Sequence, residues 1–154
     1  MANIPIKTDG VAAVLLKKTN DETLFLLLKR ATTNLHNMWC YIGGSIEEGE
    51  TAVDAIIREI KEETSITELT LYSANLFDQI FSPLENYIYV APVFVGFVKE
   101  SQTVNLNDEH SEYQWLPINK ALKKVSLPGN EEVLRSIERN FIQKEPADFL
   151  LIKK

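Results

Sequence analysis

Two stretches near the start of the chain, Val11 to Lys17 and Thr23 to Arg30, are almost continuously apolar and rich in strand-forming residues. The polar run Lys18-Thr19-Asn20-Asp21-Glu22 divides them, a pattern that predicts a hairpin. Their unbroken apolar character predicts strands covered on both faces. Ala31 to Asn37 is polar and reads as a loop, Met38 to Ile42 as a short strand, and Gly43-Gly44-Ser45 as its end. From Thr51 the period lengthens to that of a helix running to about Thr64, with Thr51 as N-cap and Asp54 three residues on. Thr64, Ile66 and Thr67 around Ser65 are poor helix formers and mark its end. Strand character returns over Leu69 to Phe77 and Tyr87 to Val98. In the second, Tyr87, Tyr89, Val93, Val95 and Phe97 hold one phase while Ile88, Val90, Phe94 and Val98 hold the other. Pro92 inside that run requires an edge position or a bulge. A polar loop over Ser101 to Ser111, a strand at Tyr113 to Leu116, and helices over Pro117 to Val125 and Asn130 to Ile142 complete the chain. The order of elements predicts one mixed α/β domain over residues 1–154, with no repeat or linker.

The chain is 154 residues long, 45% hydrophobic and 25% charged. This length buries a sizeable core without disulfide or zinc staples. The composition excludes a largely disordered chain. Sixteen basic residues face 22 acidic ones, a net charge of −6. That balance argues against a nucleic-acid polymer or an anionic membrane as partner. The single cysteine, Cys40, excludes an internal disulfide and a Cys-rich metal site, and it suits a reducing compartment. No secretory leader or bilayer-length apolar run is visible, so the expectation is a soluble, cytoplasmic protein.

The acidity is concentrated. Between Glu47 and Glu63 stand seven acids and two bases, which is −5 of the net −6 within seventeen residues. At 100° per residue, Val53, Ile56, Ile57 and Ile60 form one apolar stripe. Glu59, Glu62 and Glu63 share an arc of about 100°, with Glu63 overlapping the stripe's edge. Like charges at this spacing repel, and more so when partly buried. A solvated salt-bridge helix is one explanation. A hard divalent cation such as Mg²⁺ or Mn²⁺ is the other, since both prefer oxygen ligands completed by substrate phosphates. Zinc suits the segment less, because neither His36 nor His110 is near in sequence. Arg58, one turn before Glu62, is placed to orient a carboxylate by a forked contact.

These residues resemble a known family motif. Gly44, five residues, Glu50, seven residues, Arg58-Glu59-Ile60-Lys61-Glu62-Glu63, one residue, Ser65 and Ile66 match the Nudix box, G-x5-E-x7-R-E-U-x-E-E-x-G-U with U a bulky aliphatic. Only the last glycine departs, replaced by Ser65 at the helix C-terminus, where glycine eases a left-handed turn. The resemblance implies a mixed β-sheet sandwiched between helices and hydrolysis of a nucleoside diphosphate linked to another moiety. It implies that Glu59, Glu62 and Glu63 hold metal, Mg²⁺ with Mn²⁺ as substitute. Gly44 would add its carbonyl, while Glu50 and Arg58 brace the loop against the helix.

On this reading Glu59 and Glu62 act in catalysis, and Glu109 is the downstream candidate for the base that activates water. A solvated loop acid remains the alternative for Glu109, with Glu112 as competitor. Arg30, at a strand end, is a candidate phosphate contact or an ordinary surface charge. His36 and His110 receive no role. Trp39, Tyr41, Phe77 and Phe81 are candidates for stacking on a base, with core packing the alternative. The box ending without glycine and the run Glu109-His110-x4-Trp115 look most like members that act on dihydroneopterin triphosphate or dATP-like nucleotides. The expected partner is therefore a small nucleotide or pterin di- or triphosphate, cut to monophosphate and pyrophosphate, with a homodimer as the expected assembly. Diadenosine polyphosphates and oxidised nucleotides remain alternative substrates, and a catalytically inactive Nudix-fold regulator is the rival.

Overall fold

A computed structural model describes residues 1–154. Its strands are β1 (Ile6–Lys7), β2 (Gly10–Lys18), β3 (Thr23–Arg30), β4 (Trp39–Cys40), β5 (Ile42–Ser45), β6 (Leu69–Ser82), β7 (Tyr87–Val98) and β8 (His110–Leu116). The helices are α1 (Ala52–Thr64), α2 (Ile118–Lys124) and α3 (Asn130–Ile137), the last continued by a π-helical turn, Glu138–Ile142. The sheet is mixed. β7 runs parallel to β1 and β2, and the other pairings are antiparallel.

The near-continuous apolar strands are covered on both faces, as their pattern predicts. Along β2, Val11, Ala13 and Leu15 pack with Ile56 and Ile60 of α1. The intervening Ala12, Val14 and Leu16 pack with Ala121 of α2 and Leu134 and Ile137 of α3. The sheet therefore lies between helices, and α1 is held over one end of it.

Three local expectations change, and at Pro92 the bulge is found rather than the edge position. Gly43 and Gly44 do not end a strand: they lie within β5 and pair with Ala12 and Val11 of β2. β6 runs five residues past Phe77, because its far half forms a hairpin with β7. Pro92 is not on an edge strand, since β7 is interior. It stands opposite Phe77, beside the register shift in β6 between Ser73 and Phe77 where the ladder is already broken. β8 begins at His110, so the polar residues His110, Ser111 and Glu112 belong to a strand whose pairing with β3 outweighs their weak strand preference.

Candidate active site

Helix α1 starts as its sequence requires. The Asp54 amide donates to Thr51 Oγ1 at 3.1 Å and the Thr51 amide to Asp54 Oδ2 at 3.1 Å, a reciprocal cap. At the other end Ser65 adopts the left-handed conformation, φ 66°, and its amide donates to Lys61 O at 2.8 Å. Serine thus takes the glycine role in the turn. Its hydroxyl also donates to Asn105 O at 3.2 Å, and the Asn105 amide donates to Thr64 O at 2.8 Å. These two bonds tie the 101–109 loop to the end of the helix.

The buried face of α1 comprises Ala55, Ile56, Glu59, Ile60, Glu63 and Thr64, while Ile57 is exposed. The face is therefore centred on Glu63 rather than skirting it, and Ile57 leaves the expected stripe. Glu59 retains 7% exposure and Glu63 1%, whereas the Glu62 side chain is half exposed.

Arg58 organises the acids around it. Its Nε and Nη2 donate to the two oxygens of Glu50 at 2.7 and 2.9 Å, and Nη2 also donates to Ser45 O at 2.8 Å. Nη1 donates to Glu59 Oε1 at 2.8 Å and Glu62 Oε2 at 3.2 Å. The fork thus grips Glu50, and Glu62 receives a single bond. A guanidinium has five N–H donors, and these five contacts use them. The Arg58 guanidinium holds the Glu50 carboxyl down at about 2, helped by the Glu47 amide, which donates to Glu50 Oε1 at 2.8 Å. In turn, Glu50 pushes the Arg58 pKa upward.

Glu63 gets nothing from Arg58. Its Oε2 is buried without a hydrogen-bond partner, and its Oε1 lies 3.6 Å from His110 Nδ1, itself buried and unpartnered. Burial, then the neighbouring Glu59 and Glu109 carboxylates, push Glu63 up to about 10. Burial, then the Arg30 charge, bring His110 down to about 4. Glu109 is exposed and raised, by partial burial and then by Glu59. Its carbonyl accepts from the Ala31 amide at 2.8 Å and its amide donates to Asn107 Oδ1 at 3.1 Å. Backbone bonds thus hold the downstream acid against the end of β3.

Gly44 meets this cluster from β5. A Cβ added there would collide with the Glu59 carboxyl group, so the glycine makes room for that carboxylate. Beside this cluster lies a cleft of about 480 Å³. Arg30, Gly44, Glu59 and Glu109 line one part, and Tyr41, Asp78 and Asn130 are also on its surface. Arg30 is braced by its own loop: Nε donates to Asn34 O at 3.0 Å and Nη2 to Thr32 Oγ1 at 3.1 Å.

Of the expected site residues, Glu50, Arg58, Glu59 and Glu62 are joined by hydrogen bonds and Gly44 stands against Glu59, whereas Glu63 lies against His110; Arg30 and Glu109 share the cleft with Gly44 and Glu59. Glu112 instead pairs with Lys29 at 3.3 Å. Of the aromatic candidates, Tyr41 is buried and lines the cleft, where its hydroxyl accepts from Asn130 Nδ2 at 2.9 Å. Trp39 is half-buried, with the Lys124 ammonium 4.5 Å from its ring centroid. Phe77 and Phe81 are exposed, so neither joins the core. His110 was given no role from sequence yet lies against Glu63, because β3–β8 pairing sets it opposite Arg30. Nearness in sequence was thus the wrong measure for imidazole.

The donor set fits a hard divalent cation. Glu59 lines the cleft and Glu63, with an orphaned oxygen, is buried behind it, after the adjacent arginine has spent all its donors. The NUDIX domain family pattern matches residues 7–137. An RNA pyrophosphohydrolase of Campylobacter jejuni is 26% identical over 129 residues, 76% of this chain and 81% of that protein. A Caenorhabditis elegans protein named nudix hydrolase 1 is 40% identical over 53 residues, 34% of this chain but 14% of that longer protein. The Escherichia coli dihydroneopterin triphosphate pyrophosphohydrolase structure superposes with a TM-score of 0.66 and 27% identity, covering 90% of this chain and 100% of that one.

Proposed function

The chain belongs to the NUDIX domain family, and on that premise we propose that residues 1–154 act as one Mg²⁺-dependent pyrophosphohydrolase domain. Its substrate is a small nucleoside or pterin triphosphate, cut to the monophosphate and pyrophosphate. The observation that carries this reading is Glu63, buried and unpaired close to Glu59, which itself lines a cleft, while Arg58 serves Glu50, Glu59 and Glu62. An acidic pocket accepts an acidic substrate only through intervening cations.

Glu59, Glu62 and Glu63, with the Gly44 carbonyl, are the residues that hold Mg²⁺, with Mn²⁺ as substitute. When bound, the metal supplies charge neutralisation at the phosphates and a more acidic water. Glu109 takes the proton from the attacking water: its carboxyl is raised by partial burial and then by Glu59, lines the cleft and stays reachable from solvent. Arg30, fixed by Thr32 and Asn34, contacts a phosphate and orients it. Glu50 and Arg58 keep the helix and β5 at fixed separation, so that Glu59 keeps its place next to Gly44. The likeness to the Escherichia coli enzyme supports the pterin triphosphate among these substrates. No helix is long and apolar enough to cross a membrane, in keeping with a cytoplasmic enzyme. The exposed Ile6, Phe77 and Phe81 suit a homodimer contact.

The test is a panel of nucleoside, oxidised-nucleoside and pterin triphosphates, diadenosine polyphosphates and 5′-triphosphorylated RNA, with Mg²⁺ and with products identified. Pyrophosphate and a monophosphate are expected from a small triphosphate. Release of single phosphate alone would refute the cleavage position, and turnover of RNA alone would refute the small-molecule substrate in favour of the activity named for the Campylobacter relative. Glu62→Gln and Glu63→Gln should each lower the rate by at least about 10²-fold. If neither changes it, the metal-site assignment fails. If the unaltered chain hydrolyses nothing, the regulator reading takes its place.

A further inference from the structure

The side chain of His110 is not accounted for by the residues of the Nudix box. It occupies the first position of β8, opposite Arg30 and just past a register shift in β3. Its side chain is 2% exposed and that of Glu63 1%, and Nδ1 of the one and Oε2 of the other have no hydrogen-bond partner. The gap between His110 Nδ1 and Glu63 Oε1 is 3.6 Å, beyond an N–H···O hydrogen bond. A carboxylate oxygen of Glu109 completes a trio whose ligand atoms all lie within 4.8 Å of one another. Two buried polar groups facing each other across an unbonded gap are uncommon in folded proteins.

We propose that Glu63, Glu109 and His110 form a mixed oxygen–nitrogen cation site, with His110 Nδ1 as a direct ligand, selective for Mn²⁺ over Mg²⁺. Two ligands about 2.1 Å from a shared ion stand roughly 3.0–3.4 Å apart for right-angled to tetrahedral arrangements. The 3.6 Å separation needs only a small contraction to meet that range. The two carboxylates suit Mn²⁺ as they suit Mg²⁺, while the imidazole nitrogen suits first-row transition ions and not Mg²⁺, which keeps to oxygen. Glu59 and Glu62 are outside this trio, so an oxygen-only ion at the box glutamates is compatible with it. The trio rests on the pyrophosphohydrolase reading only in sharing Glu63 and Glu109.

The experiment is pulsed electron paramagnetic resonance on the full chain loaded with Mn²⁺ in the absence of substrate. A ¹⁴N coupling typical of directly bound imidazole is expected, replaced by a ¹⁵N pattern in protein grown with ¹⁵N-histidine. His110→Phe should abolish the coupling and weaken Mn²⁺ binding at least tenfold while shifting Mg²⁺ affinity less than twofold. His36→Gln, at an exposed loop position, should leave the signal intact. Bound Mn²⁺ without nitrogen coupling in the unaltered chain overturns the proposal whether or not His110→Phe folds. So does coupling that survives in His110→Phe. Mg²⁺-dependent hydrolysis that persists beside either result leaves the enzyme reading standing, whereas a chain that binds neither ion overturns both.

Discussion

Gly44→Ala isolates how closely β5 and α1 are fitted at the site. Position 44 pairs with Val11 in an ordinary extended strand, so alanine costs no unusual backbone conformation. What it meets is the Glu59 carboxyl group, directly in the path of the new methyl. Glu59 has little room to retreat, since it is 7% exposed and receives Arg58 Nη1 at 2.8 Å. Overpacking at such a position costs about 1–3 kcal/mol. At about 3 °C per kcal/mol for a chain of this size, the midpoint of thermal unfolding should fall by roughly 3–9 °C. The catalytic effect should be larger, because displacing a positioned group by about 1 Å costs on the order of 10²-fold in rate. Gly43→Ala is the matched control, since its new methyl would meet only Val11 O at 3.6 Å, an ordinary contact. The assay is kcat/KM on the best substrate of the panel, beside a thermal melt of each variant. Gly44→Ala within threefold of the unaltered chain, or Gly43→Ala equally impaired, would refute the reasoning.

Two further outcomes follow from the same geometry. In the metal-free chain Glu63 is pushed up to about 10, so its contribution to stability is fully present below the ordinary value of 4.5 and is lost as pH rises toward 10. Cation binding at neutral pH must displace that proton, so Mn²⁺ titrated calorimetrically at pH 7.5 in buffers of different ionisation enthalpy should release about one proton per ion, and none from Glu63→Gln; zero release from the unaltered chain sinks this account. At Ser65, φ 66° penalises any side chain, while the hydroxyl bond to Asn105 O offsets part of that cost. Ser65→Gly should therefore be about 1 kcal/mol more stable than Ser65→Ala, since both lose the hydroxyl bond and only alanine keeps the strain; equal chemical-denaturation midpoints for the two would count against it.

The elements with strong periodicity were legible, and so was the motif. Thr51 and Asp54 cap α1 as their spacing implies, and alternate residues of β2 enter two separate cores. What the sequence could not show was placed by long-range pairing. Nothing local marks His110 as a neighbour of Glu63, because the contact depends on β8 choosing β3 as partner. The Glu109-His110 pair just ahead of a strand was the available signal, and sequence distance from the glutamate helix hid it. The helical wheel also misjudged which side of α1 is deepest. It ranked faces by apolar content, whereas the fold buries Glu59 and Glu63 and exposes Ile57. The paired glycines follow the same rule: breakers by propensity, they are strand residues because they pair with Ala12 and Val11 of β2, and at Gly44 the missing side chain leaves the space that Glu59 fills.

The placement of Glu63 on α1 and His110 on β8 has a mechanical consequence. Eighty residues separate Arg30 from its partner His110, so β8 joins the sheet only by closing a long loop of chain. An ion held between Glu63 and His110 would fasten that late-closing strand to the helix layer. At a free concentration a hundredfold above its Kd, such an ion adds about 2.7 kcal/mol to the folded state. Chelation would then act first as a loosening of β8 and the 101–109 loop, and the rate at which a protease nicks that loop becomes a gauge of how much of the protein carries metal.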